Sequence, residues 1–80
     1  MAATTTYICQ PYLLDRKGIL RADTAIPCHS EGMARRRADR LMENKRAAGV
    51  DVIRQTADPD AGDYGEPEFL DRLGRVPVLD

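Results

Sequence analysis

Apolar and polar residues change their spacing along this chain, and each change marks an element. Over Thr4–Leu14, TTTYICQPYLL, threonine, tyrosine and branched residues dominate, the composition that suits a pleated, half-buried strand. Period-two alternation puts Tyr7, Cys9 and Pro11 on one face and Ile8, Gln10 and Tyr12 on the other. Pro11 has no N–H to give a ladder, so it favours an edge or a bulge. Asp15-Arg16-Lys17-Gly18 is a turn signal, with Asp15 able to accept from the backbone ahead and Gly18 free to take a positive φ. A hairpin then returns through residues 19–26, with Leu20, Ala22, Thr24 and Ile26 on one face, until Pro27 stops it.

From residue 30 to residue 49, SEGMARRRADRLMENKRAAG, the period becomes helical. Ser30 is an N-cap residue, and Glu31 complements the positive end of the helix dipole. Ala34, Ala38, Leu41, Met42 and Ala48 form a narrow stripe of small residues, with Lys45 among them. Such a stripe lets a helix lie close to a sheet. Gly49 is the expected left-handed stop. Residues 50–56, VDVIRQT, read as a third strand and 68–73 as a fourth, with Phe69, Asp71 and Leu73 on one face. Between them DPDAGDYGEP crowds prolines, glycines and acids into a loop.

The order strand, strand, helix, strand, strand predicts an α+β domain. Its architecture is β-β-α-β-β, a three- or four-stranded, largely antiparallel sheet with one helix packed on one face. One domain spans residues 1–80, with 1–3 and 75–80 frayed and 57–67 a flexible loop. A chain of 80 residues buries only about 60 to 65% of its unfolded surface, so a partner could add appreciably to its stability. One helix covers one face of a sheet. The uncovered face, with Tyr7 or Tyr12 on it according to register, is the expected contact for a homodimer or another protein partner, in a non-enzymatic interaction module.

Charge and chemistry change this picture little. The net charge is −1, yet residues 30–50 sum to +3 and residues 51–80 to −5. No run approaches the ~18 to 20 apolar residues that cross a bilayer, and MAATTTY has neither the basic nor the apolar region of a secretory signal. The expected setting is the cytoplasm, away from membrane, with Cys9 and Cys28 reduced. No cofactor is expected. Cys9, Cys28 and His29 are three ligands where a closed zinc site takes four; they define the alternative of a small metal or thiol protein. The acidic loop Asp58, Asp60, Asp63 and Glu66 places Gly62 and Asp63 out of step with a calcium loop.

Arg35, Arg36, Arg37 and Arg40, with Arg46 beyond, carry a second alternative. A basic helix over 35–46 could lie against phosphates, making a nucleic-acid-binding module. The helical angles spread these arginines around the polar side. Asp39 and Glu43 stand three or four residues from them, the spacing of intrahelical ion pairs, and no glycine-rich phosphate cradle precedes the helix.

The succession YICQPY, a hairpin, ARRRADRLMENKRAAGV, VIRQTADPDAGDYGEP and FLDRLGRVP resembles a family of small bacterial proteins of unknown function. That resemblance covers most of the chain and implies a small α+β fold without an assigned activity. A second likeness is to the peptidoglycan-binding sporulation-related repeat domain. There a strand beginning Y-x-x-Q leads through an alanine-rich helix ending AAG into another strand, as Tyr7 to Gln10, Ala34 to Gly49 and Val50 to Gln55 do here. That domain uses two such units and is exported; this chain carries one unit.

Overall fold

The computed structural model describes residues 4–58 and 62–78 of the chain. In chain order the elements are β1 (Thr4–Leu14), β2 (Leu20–Ala22), β3 (Ile26–Cys28), α1 (Glu31–Glu43), β4 (Gly49–Asp58), β5 (Asp63–Tyr64) and β6 (Glu68–Gly74). This is the α+β fold expected, with one helix on one face of an antiparallel sheet and two short strands more than the pattern suggests. β1 and β4 form the centre, paired from Thr4↔Ala57 to Tyr12↔Gly49. β2 and β3 flank β1, and β5 and β6 flank β4. Of the segments expected to fray or to form the loop, residues 1–3, 59–61 and 79–80 lie outside the described residues.

Directly opposed residues share a face, so the register sorts the sheet. Cys9 opposes Val52 and Ile26, Pro11 opposes Val50, and Val50 opposes Leu73. These line the helix side, where Cys9, Val50 and Val52 are buried together with Ala34, Ala38 and Ala47. At Ala34 and Ala38 only a methyl group stands between helix backbone and sheet, as the small-residue stripe requires. Tyr7, Leu41, Met42, Leu70 and Leu73 close the margin of this core.

Pro11 does not break β1 or push it to an edge. The break falls instead in the strand opposite. Asp23 N donates to Pro11 O, so the side of Pro11 that lacks an N–H also faces Asp23. There the Gln10 side chain substitutes for the missing donor: its Nε2 donates to Asp23 O at 2.8 Å and to Pro11 O at 2.9 Å. β2 ends at Ala22. The pairs Tyr12↔Ala22 and Cys9↔Ile26 then match three steps on β1 with four on its neighbour, a bulge that rotates the following residues by one position. Ile26 therefore faces the helix with Cys9, not the side of Leu20 and Ala22 as simple alternation predicts.

A second irregularity corrects β6. Val52 opposes Asp71 while Ile53 opposes Phe69, leaving Leu70 as the extra residue. Asp71 and Leu73 stay on the helix side, and Phe69 turns to the other. Between β1 and β2 the expected turn is in place: Asp15 Oδ1 accepts from Lys17 N and Ile19 N, and Gly18 has φ +78°.

Ser30 caps α1 by accepting from Met33 N, but the helix ends at Glu43, well short of Gly49. Lys45, at φ 56°, occupies the left-handed position. Lys45 N donates to Met42 O and Arg46 N to Leu41 O, the paired bonds of a Schellman ending. Lys45 and Ala48 thus leave the helical stripe. Gly49 has another purpose. A Cβ on it would fall 1.8 Å from Arg75 O, and one on its partner Gly74 (φ +67°) would fall 2.5 Å from Ala48 O. The two glycines let the chain cross β4 after β6, where Arg75 N donates to Ala48 O. Residues 75–78, expected to fray, lie along this crossing.

Two expectations follow. Lys45→Gly removes the strain of a left-handed lysine and should raise stability by roughly 0.5–1 kcal/mol, read as a higher denaturant midpoint with unchanged slope. Gly49→Ala should lower stability by about 2–3 kcal/mol and remove hydrogen-exchange protection from the Arg75 amide before other amides of the sheet.

Candidate functional site

No described helix covers the face of the sheet opposite α1. Across it runs a transverse apolar row, one residue from each of four strands: Pro27 opposes Ile8, Ile8 opposes Ile53, and Ile53 opposes Phe69. Ile8 and Ile53 are half-buried and Phe69 is 37% exposed. At the hairpin end Leu14 opposes Leu20 on the same face, with Leu14 41% exposed.

Between these apolar parts lies a polar band built around Asp51, which is fully buried. A carboxylate without solvent must be paired and hydrogen-bonded. Arg72 meets that need with Nε at 2.7 Å from Oδ1 and a second nitrogen at 3.2 Å from Oδ2. The Tyr12 hydroxyl donates to Oδ2 at 2.9 Å. Burial and the bond to Asp51 both push the Tyr12 phenol above its ordinary pKa. Arg72 also donates to Pro77 O at 2.6 Å and lies over the Phe69 ring, 5.0 Å from its centroid. One guanidinium thereby ties β4, β6 and the crossing segment together.

The candidate contacts Tyr7 and Tyr12 lie on opposite faces. Tyr12 is on the uncovered face, though its hydroxyl is engaged by Asp51. Tyr7 is on the helix side, opposing Cys28 and Arg54 and packed against the core, so it offers nothing to a partner on the uncovered face. Ile8 and Ile53 are readable there from alternation about Tyr12 and from the β4 pattern; Phe69 is not, because the bulge at Leu70 reverses it.

The basic helix divides in two. Arg35 Nε donates to Glu31 at 2.8 Å and another nitrogen to Asp71 at 3.2 Å, which fastens α1 to β6. The bond to Glu31 is the main cause of its raised pKa. By contrast, among the described residues Arg36, Arg37, Arg40 and Arg46 have no ion pair within 4 Å. The pairs anticipated with Asp39 and Glu43 do not form. Arg36, Arg37 and Arg40 fall within one sector about 100° wide, Glu31, Arg35 and Asp39 fall on the other flank, and Glu43 projects about 20° from Arg36, two turns further along.

Cys9, Cys28 and His29 do not assemble a metal centre: among the described residues no group of three or more metal-ligating side chains converges. Both cysteines are free. Burial, reinforced by neighbouring Cys28 and opposed by Arg37, pushes the Cys9 thiol up to about 11. It is thus a protonated core residue at neutral pH. Cys28, half-buried, joins Thr5, Thr6, Pro27 and His29 around a shallow hollow at the β3 edge.

No protein-family model, curated protein or solved structure matches this chain. No helix among the described residues is long and apolar enough to cross a membrane.

The Cys9 shift has a definite sign. A thiol whose pKa is raised on folding contributes stability that is complete below the unfolded value of 9.0 and lost as pH rises towards about 11. Between pH 8 and pH 10.5 the parent protein should therefore lose about 2 kcal/mol more stability than Cys9→Ala. Urea midpoints at the two pH values measure it. At pH 8 a thiol reagent should label Cys28 readily and Cys9 only on unfolding.

Proposed function

We propose that the protein is a non-enzymatic interaction module that pairs with a second copy of itself through the uncovered sheet face. The observation that supports this is the apolar row Pro27, Ile8, Ile53 and Phe69, which crosses four strands with no helix or strand among the described residues packed on it. A row of this kind can meet its two-fold mate in the manner of packed sheets. The extents of the molecule, 45 × 26 × 18 Å, leave a broad face large enough for the roughly 800 Å² per partner of a standard interface. Charge favours a like partner as well: Asp51 and Arg72 neutralise each other, so two copies of the band can face one another without like charges being left unpaired. The reading accords with the resemblance to small bacterial proteins that carry no assigned activity, and two free cysteines suit a reducing cytoplasm.

Light scattering on a dilution series from millimolar to low micromolar tests the reading. The expected result is a dimer that dissociates on dilution, with the amide shifts of residues 8, 53 and 69 following the dissociation. Ile53→Lys and Phe69→Lys each place an ammonium in the row and should weaken the dimer at least about tenfold. Phe69 is 37% exposed on an outer strand, so Phe69→Lys should cost the fold less than Ile53→Lys, and dispersed amide signals from the rest of the sheet check that each variant is folded. A monomer at millimolar concentration, or a dimer indifferent to both variants, would overturn the proposal.

A further inference from the structure

The uncompensated cations of α1 lie on the surface away from the sheet. Arg40 stands four residues after Arg36 and three after Arg37, a neighbour of both on the helix surface, and Arg46 extends them past the Schellman ending. Two shallow hollows flank them. One, of about 190 Å³, is lined by Met33, Arg36, Arg37 and Arg40. The other, of about 170 Å³, is lined by Arg37, Arg40, Leu41, Asn44 and Arg46. Arg37 and Arg40 are common to both, so two anionic groups seated side by side would share two guanidinium groups.

Three features define the occupant. Guanidinium is the side chain best matched to phosphate oxygens, which it meets with paired N–H donors. The hollows adjoin each other along the helix through the shared Arg37 and Arg40, which suits a repeating polyanion better than an isolated anion. Each hollow also has an apolar wall, Met33 in one and Leu41 in the other, able to lie against a sugar or base. Of the acids of the helix, Glu31 lies on the opposite flank, while Asp39 and Glu43, each three residues from an arginine of the cluster, border it without forming an ion pair with it.

We propose that Arg36, Arg37, Arg40 and Arg46 form a binding surface for the sugar–phosphate backbone of a nucleic acid. Arg35 is not part of it, being held by Glu31 and Asp71. This surface is independent of the uncovered sheet face, since α1 lies on the other side of the sheet. Recognition is through the backbone and carries little sequence preference. With three or four phosphates contacted, affinity for duplex should fall about 50- to 150-fold between 50 and 200 mM salt.

Fluorescence anisotropy of labelled 20-nucleotide single-stranded DNA, duplex DNA and RNA tests the proposal on the full chain. Binding should show that salt dependence. The triple variant Arg36→Glu, Arg37→Glu, Arg40→Glu should lose it by at least about a hundredfold, and Arg40→Ala should reduce the salt slope by about one. Arg16→Glu and Arg75→Glu, at cations elsewhere on the surface that have no ion pair among the described residues, should leave affinity within about twofold. If the triple variant fails to fold, amide shifts of the parent protein titrated with an unlabelled oligonucleotide decide, expected at residues 33–46. Affinity unchanged by the triple reversal, shifts located elsewhere, or binding of anionic vesicles or an acidic peptide without binding of nucleic acid would overturn the proposal.

Discussion

The antiparallel ladder between β1 and β4 is the constraint on which the other features depend. Its register decides which side chains of the two longest strands meet α1, and it opposes Cys9 to Val52 and Pro11 to Val50 under the helix. Slipping β4 by one residue against β1 would bring Asp51 and Ile53 under α1 in place of Val50 and Val52, placing a carboxylate in the core. The buried residues are small, and Ala34 and Ala38 bring the helix close above them. A core of this size leaves large apolar residues for the other side of the sheet. The row on the uncovered face thus follows from the register.

Much of this was legible in the chain. The limits of β1, the Asp15 turn, the Ser30 cap and the helical stripe through Met42 follow from local chemistry, and local chemistry reads well from sequence. The errors share a different cause. Alternation puts Ile26 and Phe69 on the wrong faces because a bulge is a relation between two strands, and the pattern along one strand contains no trace of it. The helix was extended to Gly49 because glycine is the usual left-handed residue. The fold uses Lys45 there and reserves Gly49 for the close passage of Arg75, a tertiary demand. Tyr7 and Tyr12 were correctly separated by alternation, but which of them the helix covers depends on the register with β4 and β3.

The charged residues sort by what the fold asks of them. Arg72 is committed to Asp51, Arg35 to Glu31 and Asp71, Arg54 to Glu68 and Arg21 to Asp15. Each of these joins two elements or two turns of chain. Among the described residues Arg36, Arg37, Arg40 and Arg46 form no ion pair, and their mutual repulsion is relieved by solvent, by salt and by the nearby carboxylates of Asp39 and Glu43. A near-neutral total charge therefore hides an uneven surface, in which one side of a single helix groups Arg36, Arg37 and Arg40.

The amide of Gln10 makes sense only beside an imino acid. With any other residue at position 11 the backbone would supply its own N–H to Asp23 O, and the side chain at position 10 would have no orphan acceptor to satisfy. The two positions are therefore linked as lock and key. In diverging copies of this chain, proline at 11 should be lost and gained together with a donor at 10, and the kink between Ala22 and Ile26 should straighten with them.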